Sequence, residues 1–327
     1  MHVIHGFDHL PLNARGAALA IGNFDGVHRG HQALLTAAMR AGAAAGGPAG
    51  VMVFEPHPRE HFQPERPHFR LTPLAEKLRL LDAFGLDLAV VLPFGAPLAN
   101  LPADAFVERV LVAGLGVRHV VVGYDFHYGK GRAGTPHTMQ AAGSELGFAV
   151  SVLGAEGADG EIFSSSAVRA ELAQGDVRGA AEMLGHWWRV SGTVTGGAKR
   201  GTGLGFPTAN LALAKGTALA HGIYAAHVHV GGKRYRGAAY LGTRPTFDDG
   251  KPVLETFLLD FDGDLYGREI AVTFVEFLRG DKRFETGEAM VAQMTRDCAR
   301  ARDILAKIEK SNPLAAFPLG REQFASP

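Results

Sequence analysis

Gly22-Asn23-Phe24-Asp25-Gly26-Val27-His28-Arg29-Gly30-His31 stands at the junction between an apolar run, Ala17 to Phe24, and a segment of helical periodicity, His31 to Ala45. A strand that feeds through a glycine-bearing turn into a helix is the opening of a βα unit. The start of that helix presents unpaired amide hydrogens and the positive end of the helix dipole, and glycines let a phosphate approach the backbone. His28 and His31 lie three residues apart, a spacing that sets both imidazoles beside one anion. The plainer reading of the same residues is a helix cap at Asp25 with two surface histidines.

The pattern then repeats. Further apolar runs occur at Val51 to Phe54, Leu88 to Leu92, His119 to Gly123 and Ala149 to Leu153, with helical periodicity near Leu74 to Phe84, Ala103 to Ala113 and Thr138 to Gly147. Strand and helix alternating at this interval predict a doubly wound parallel sheet, in which ligands bind at the carboxyl ends of the strands. Residues just after each run are therefore the candidates. Phe54, Pro56, His57 and Pro58 follow the second run, and Asp125 and Phe126 the fourth; aromatic and proline surfaces there suit a flat heterocycle, with Asp125 as a polar anchor. Ser164, Ser165 and Ser166 precede a helix carrying Arg169 one turn in, a helix cap by itself and a clamp on ATP phosphates when paired with the His28 loop.

After short helices near Ser166 to Gln174 and Val177 to Leu184 the character changes. Strands are expected at Arg189 to Val194, Gly222 to Val230, Lys233 to Tyr240, Val253 to Asp260 and Glu269 to Phe277, with Gly231-Gly232 as a two-residue hairpin turn. No helices intervene, which predicts an antiparallel barrel or sandwich closed by one long helix, Thr286 to Lys310, with Met290, Met294, Ala301, Leu305 and Ile308 as its core stripe. The boundary is placed near His186, and residues 311–327 are expected to form a loose extension. Gly196 to Asn210 is glycine-rich without matching a Walker loop; it fits either a turn leading into a strand, with structural glycines, or a flexible phosphate lid that includes Gly201 and Gly203. Thr208 and Asn210, two apart on an extended segment, share a face and offer oxygens to a magnesium carrying ATP phosphates. Glu255 opens an apolar strand, which fits an outward solvated position or a catalytic base.

Composition narrows the class. The 327 residues include 33 Lys plus Arg and 33 Asp plus Glu, so no net field attracts nucleic acid or an acidic membrane face. The longest stretch without these four residue types, Gly216 to Gly232, is 17 residues long and contains three histidines, which excludes a membrane span. The opening MHVIHGFDHL lacks a basic n-region and an apolar h-region, and a lone Cys298 forms no internal disulfide. A cytoplasmic enzyme acting on small molecules, with neither a nucleic-acid nor a membrane partner, is expected; self-association stays open.

Taken together, the segments resemble the prokaryotic bifunctional riboflavin kinase and FMN adenylyltransferase, also called FAD synthetase, from about Leu19 to Ile308. GNFDGVHRGH, an HxGH segment, and SSSAVR match the adenylyltransferase signatures of that family; GFPTANL and LETFLLDFDGDLYG match those of its kinase. The fold implied is α/β, an N-terminal doubly wound parallel sheet of HxGH nucleotidyltransferase type over 1–186, followed over 187–310 by an antiparallel β-barrel with a long C-terminal helix. The resemblance implies ATP contacts at Asn23, Phe24, His28, His31, Ser165 and Arg169, with Asp25, Gly26, Ser164, Ser166 and Thr208 in the same segments. It implies flavin contacts around Phe54, Pro56, His57, Pro58, Asp125 and Phe126, magnesium at Thr208 and Asn210, and a base at Glu255. Substrates and products would be ATP, riboflavin, FMN and FAD. Thr202 and Tyr240 depart from the family pattern, where arginine and asparagine are common.

Overall fold

The computed structural model describes residues 1–8, 10–11, 14–158, 160–196, 206–214, 216–243 and 252–322, the side chains of 321 and 322 excepted. Gly201, Thr202 and Gly203 lie outside the described residues. The chain divides into two compact units, one formed by Met1–His68 with Thr72–Ser165 and the other by Phe69–Leu71 with Ser166–Pro327.

In the first unit six strands form a wholly parallel sheet: β1 (His2–His5), β2 (Ala18–Ile21), β3 (Ala49–Glu55), β4 (Leu88–Pro93), β5 (His119–Gly123) and β6 (Ala149–Leu153), in the order β1-β4-β3-β2-β5-β6. The run expected at Ala17 to Phe24 is a four-residue strand, because Phe24 takes a positive φ of 48° that no strand accommodates. β2 and β5 are neighbours although the chain runs outward from them in opposite directions, so the topological switch point lies between their carboxyl ends. Central strands are apolar throughout, as a sheet covered on both faces requires; Leu19, Ala20, Val51, Val53, Val90 and Val121 are all fully buried. Gly50 serves close packing in β3, since a Cβ there would lie 2.8 Å from the Leu88 carbonyl oxygen. Helix α1 (Arg29–Ala45) follows β2 and ends at Gly46 in the left-handed conformation.

The second unit begins with helices α2 (Ser165–Gln174) and α3 (Val177–Leu184) and continues into β7 (Arg189–Thr193), β8 (Thr208–Ala212), β9 (Gly222–Val230), β10 (Lys233–Thr243), β11 (Pro252–Leu258) and β12 (Glu269–Arg279). These strands form an antiparallel sheet in the order β8-β11-β10-β9-β12-β7. It curls until Thr195, just beyond β7, pairs with Asn210 of β8 (Thr195 N–H to Asn210 O, 2.9 Å), which nearly closes a barrel. Gly231 and Gly232 both have positive φ, 55° and 77°, as the tight hairpin between β9 and β10 demands. The long helix α4 (Gly287–Ser311) is capped by the Thr286 side chain. Its Ala301, Leu305 and Ile308 pack with Ala225, Val275 and Leu278 of the barrel. The expected stripe loses apolar burial toward the helix start, where Met290 and Met294 are half-buried and the buried position is Asp297, paired with Arg279. The described part of the expected loose extension, residues 311–322, carries structure: a short helix covers Pro318–Glu322, and Leu314 and Leu319 are buried at 3% and 1% exposure. Two leucines with the half-buried Phe317 give this segment an apolar face that spacing alone did not reveal.

Candidate active sites

The segment quoted first becomes a tightly wound loop between β2 and α1, at the switch point. Phe24 and Val27 are fully buried with positive φ, 48° and 45°, a strained backbone offset by the burial of both side chains. Asp25 is buried too. Its carboxylate accepts from the Thr72 backbone N–H (3.0 Å), and Gly26 N–H donates to the Thr72 hydroxyl (2.9 Å), so Asp25 shapes the loop from beneath. Gln32 donates to the Val27 carbonyl (2.8 Å) and fixes the loop to the helix. The Ser165 hydroxyl donates to the Asp25 carbonyl (2.8 Å), which joins the serine segment to this loop, as the pairing of the two motifs anticipated.

His28 is the N-cap of α1, its Nδ1 accepting from the His31 backbone N–H at 3.3 Å. A neutral imidazole whose Nδ1 accepts carries its proton on Nε2. The His28 and His31 rings stack with centroids 3.6 Å apart, and no acidic residue occupies the first turn of α1. His31 Nδ1 is buried and finds no hydrogen-bond partner among the described residues. Burial, the neighbouring His28 and the charge of Lys77 hold its pKa well below the usual histidine value, so the ring is neutral at pH 7. An orphaned ring nitrogen beside a helix N-terminus without its own carboxylate fits an anionic ligand. Gly30 keeps this packing: a Cβ there would lie 3.2 Å from the His28 ring and from the Phe163 carbonyl.

β3 and β5 flank β2, so the candidates that follow them stand on either side of this loop. After β3, Phe54 is half-buried against Phe94 (centroids 5.8 Å), Pro56 is exposed, and Pro58 opens a short helix, Pro58–Phe62, capped by His57. His57 is buried, its Nδ1 accepting from Arg59 N–H and its ring 4.4 Å from that of His68. His61 and Phe62 join Phe94 in one aromatic group at the carboxyl ends of β3 and β4, and sequence reasoning passed over all three. The signal was available at Phe94, the residue directly after β4. After β5, Asp125 is exposed and Phe126 stacks on Tyr128 at 5.7 Å. Ser166 is exposed, and Arg169 donates its Nε to the Phe69 carbonyl at 2.7 Å within the second unit.

On the barrel, β8 and β11 pair so that Asn210 is opposite Glu255 and Thr208 opposite Phe257. The Thr208 hydroxyl donates to Glu255 Oε2 at 3.4 Å, and the Asn210 amide donates to the Thr208 carbonyl at 3.3 Å. Along β11, Leu254, Thr256 and Leu258 are buried while Val253, Glu255 and Phe257 are half-buried, so Glu255 is on the outer face yet only partly solvated. Phe206 meets Phe257 edge-on at 5.1 Å beside it. A hydroxyl, an amide and one carboxylate are hard oxygen donors of the kind that share a magnesium ion with ATP phosphates. Among the described residues no cluster of three or more His, Cys, Asp or Glu could hold a metal alone.

Two sites on two folds define the class: an ATP-dependent transferase with a nucleotidyltransferase-type sheet and a kinase-type barrel. The FAD synthetase family matches residues 10–167 and the riboflavin kinase family residues 184–305. The bifunctional riboflavin kinase/FMN adenylyltransferase of Pseudomonas fluorescens is 41% identical over 307 residues, covering 94% of this chain and 98% of that protein. Its counterpart in Escherichia coli K12 is 40% identical over 301 residues, 92% and 96% of the two chains. A crystal structure titled as a macrolide-efflux protein from Streptococcus pneumoniae aligns with a TM-score of 0.81 at 26% identity, covering 92% of this chain and 98% of that one. No helix among the described residues is long and apolar enough to cross a membrane, and that likeness is one of fold. The chain belongs to the bifunctional riboflavin kinase/FMN adenylyltransferase family. It makes FMN from riboflavin and FAD from FMN.

Proposed function

We propose that the two activities reside in separate sites, phosphorylation of riboflavin at Thr208, Asn210 and Glu255 within 187–310, and adenylylation of FMN at the His28 loop within 1–186, with 311–327 as a C-terminal tail. The observation that carries the assignment is the pairing of Asn210 with Glu255 in adjacent strands, because it sets a phosphate-side amide beside a carboxylate on one face. In the kinase step the ribityl hydroxyl attacks the γ-phosphorus of ATP. Its proton passes to Glu255 as the new P–O bond forms, and the bond to ADP breaks. Thr208 and Asn210 would hold magnesium, which neutralises charge on the transferring phosphoryl group when bound. The glycines at 201 and 203 serve as the phosphate lid.

FMN needs no base for the second reaction, since its phosphate, with a second pKa near 6, is already ionised at neutral pH. Its oxygen attacks the α-phosphorus of ATP and pyrophosphate leaves. Asn23, Phe24, Asp25 and Gly26 shape the nucleotide loop, the α1 amides and the His28 and His31 rings meet the phosphates, and Ser164 and Ser165 border the same loop. The flavin lies against Phe54, Pro56, Pro58 and Phe126 with Asp125 as its polar anchor, and His57 supports that wall by capping the helix behind it. The reactions take place in the cytoplasm on small molecules, without nucleic acid or membrane.

Chromatography of products from riboflavin, ATP and magnesium over time tests the assignment. FMN should appear before FAD. Glu255→Gln keeps size and loses the basic oxygen, so it should suppress FMN formation roughly a hundredfold or more while FAD still forms from supplied FMN. Undiminished phosphorylation by Glu255→Gln would overturn the base.

A further inference from the structure

The outer face of the barrel carries one continuous row of side chains: Arg279, Ile223, Tyr240, Glu255 and Asn210, each opposite the next across β12, β9, β10, β11 and β8. At one end Arg279 binds Asp297 of α4 through Nε (3.0 Å) and a terminal nitrogen (2.8 Å). At the other end Asn210 and its neighbour Thr208 hold the phosphate side. Tyr240 is half-buried between Ile223, which packs into the core beneath α4, and Glu255. Along β10 its immediate neighbours on the same face are Ala238 before it and Gly242 after it. A Cβ on Gly242 would collide with the Tyr240 hydroxyl, so the ring lies along its own strand and fills this part of the face.

The order along the row has a chemical meaning. A base that takes the acceptor's proton touches the attacking hydroxyl, and that hydroxyl must also lie in line with the γ-phosphorus. With the phosphates at Thr208 and Asn210 on one flank, the hydroxyl sits over Glu255 and the rest of the acceptor extends toward the other flank, where Tyr240 stands. Directly opposed side chains in an antiparallel pair have Cβ atoms about 5 Å apart, which brings the Tyr240 ring within contact of whatever presents its hydroxyl to Glu255. We propose that Tyr240 is a specificity-determining residue of the kinase reaction, its ring forming the wall against which riboflavin aligns its ribityl chain toward Glu255. The proposal rests on the assignment of Glu255, Thr208 and Asn210 above.

Steady-state riboflavin phosphorylation by the full chain, with each substrate varied in turn, tests it in Tyr240→Ala, Tyr240→Phe and Glu255→Gln. Tyr240→Ala should raise KM for riboflavin about tenfold and leave KM for ATP within about twofold, as expected for loss of an aromatic contact to one substrate. Tyr240→Phe keeps the ring and should stay within about twofold on both. An unchanged riboflavin KM in Tyr240→Ala, or a shift in the ATP KM instead, would overturn the proposal; so would a Tyr240→Phe variant as impaired as Tyr240→Ala, which would place the role on the hydroxyl. Glu255→Gln separates the two levels. If it is inactive while Tyr240→Ala matches the parent, only the wall is lost; if it is active, the site assignment fails first.

Discussion

At His31 the local chemistry decides between two ways of meeting phosphates. A protonated imidazole would offer charge, but burial, His28 at 3.6 Å and Lys77 together disfavour the cation. On the proposed assignment the ring would therefore act as a neutral hydrogen-bonding group, and α1 with its first amides would meet phosphate charge. His28→Ala and His31→Ala should each lower adenylyl transfer on the order of ten- to a thousandfold, the range for loss of a charge-stabilising donor, with riboflavin phosphorylation unchanged. Assay of pyrophosphate released with FMN, against ADP released with riboflavin, checks both sides. His227 of β9 shows the same desolvation without a ligand: it is 1% exposed, and burial, outweighing the pull of Glu309, pushes its pKa down to about 3. The unfolded chain binds this proton near pH 6.5 and the folded chain does not, so the stability tied to His227 is complete above pH 6.5 and declines as pH falls toward 3. Thermal melting should drop across that window by more in the parent than in His227→Gln. Equal acid sensitivity of the two would exclude His227 as a contributor.

At the scale of elements, the strands with sustained apolar character were legible because burial on both faces writes itself as an unbroken run; Val51 to Phe54 and Leu88 to Leu92 are strands to within a few residues. β9 was legible to the residue, since Gly222 and Gly231 bound it. β1 was not: His2–His5 is short and mostly exposed, and what makes it a strand is its register with Leu88 to Val91, a partner far along the chain. β8 showed only as an extended segment for the same reason, its pairing with β11 supplied by residues more than forty positions away. At the sites, His28, His31, Thr208, Asn210 and Glu255 carry local signals of spacing and chemistry, and the structure brings each group together. Of the aromatic set of His61, Phe62 and Phe94 only Phe94 carries one, its place directly after β4; His61 and Phe62 join it only because the set assembles from the ends of two strands. His57, read as a heterocycle surface, is a helix cap; Pro at the first helical position was the cue.

At the scale of the whole molecule, a boundary drawn by function near His186 and a division by contacts at Ser165/Ser166 differ by the helices α2 and α3. These helices precede the kinase-like sequence, yet their packing is with the barrel. Val177, Ala180, Ala181 and Leu184 are at most 1% exposed, Ala181 shares a core with Ala225, Val275 and Leu305, and Arg178 pairs with Glu276 of β12. Burial of a Val- or Leu-sized side chain contributes roughly 1.5–3 kcal/mol, so removing this face costs several kcal/mol of a domain stability that is itself only about 5–15 kcal/mol. Two fragments therefore should behave differently. Residues 166–327 should unfold cooperatively and phosphorylate riboflavin, whereas residues 187–327 should melt well below them or fail to stay in solution. Both lack Phe69–Leu71, which also groups with this unit, so the comparison isolates the two helices. Circular dichroism melts and ADP release measured on both fragments provide the check. Equal melting temperatures would mean that α2 and α3 cover the barrel without stabilising it, and the functional boundary at His186 would then also be the folding boundary.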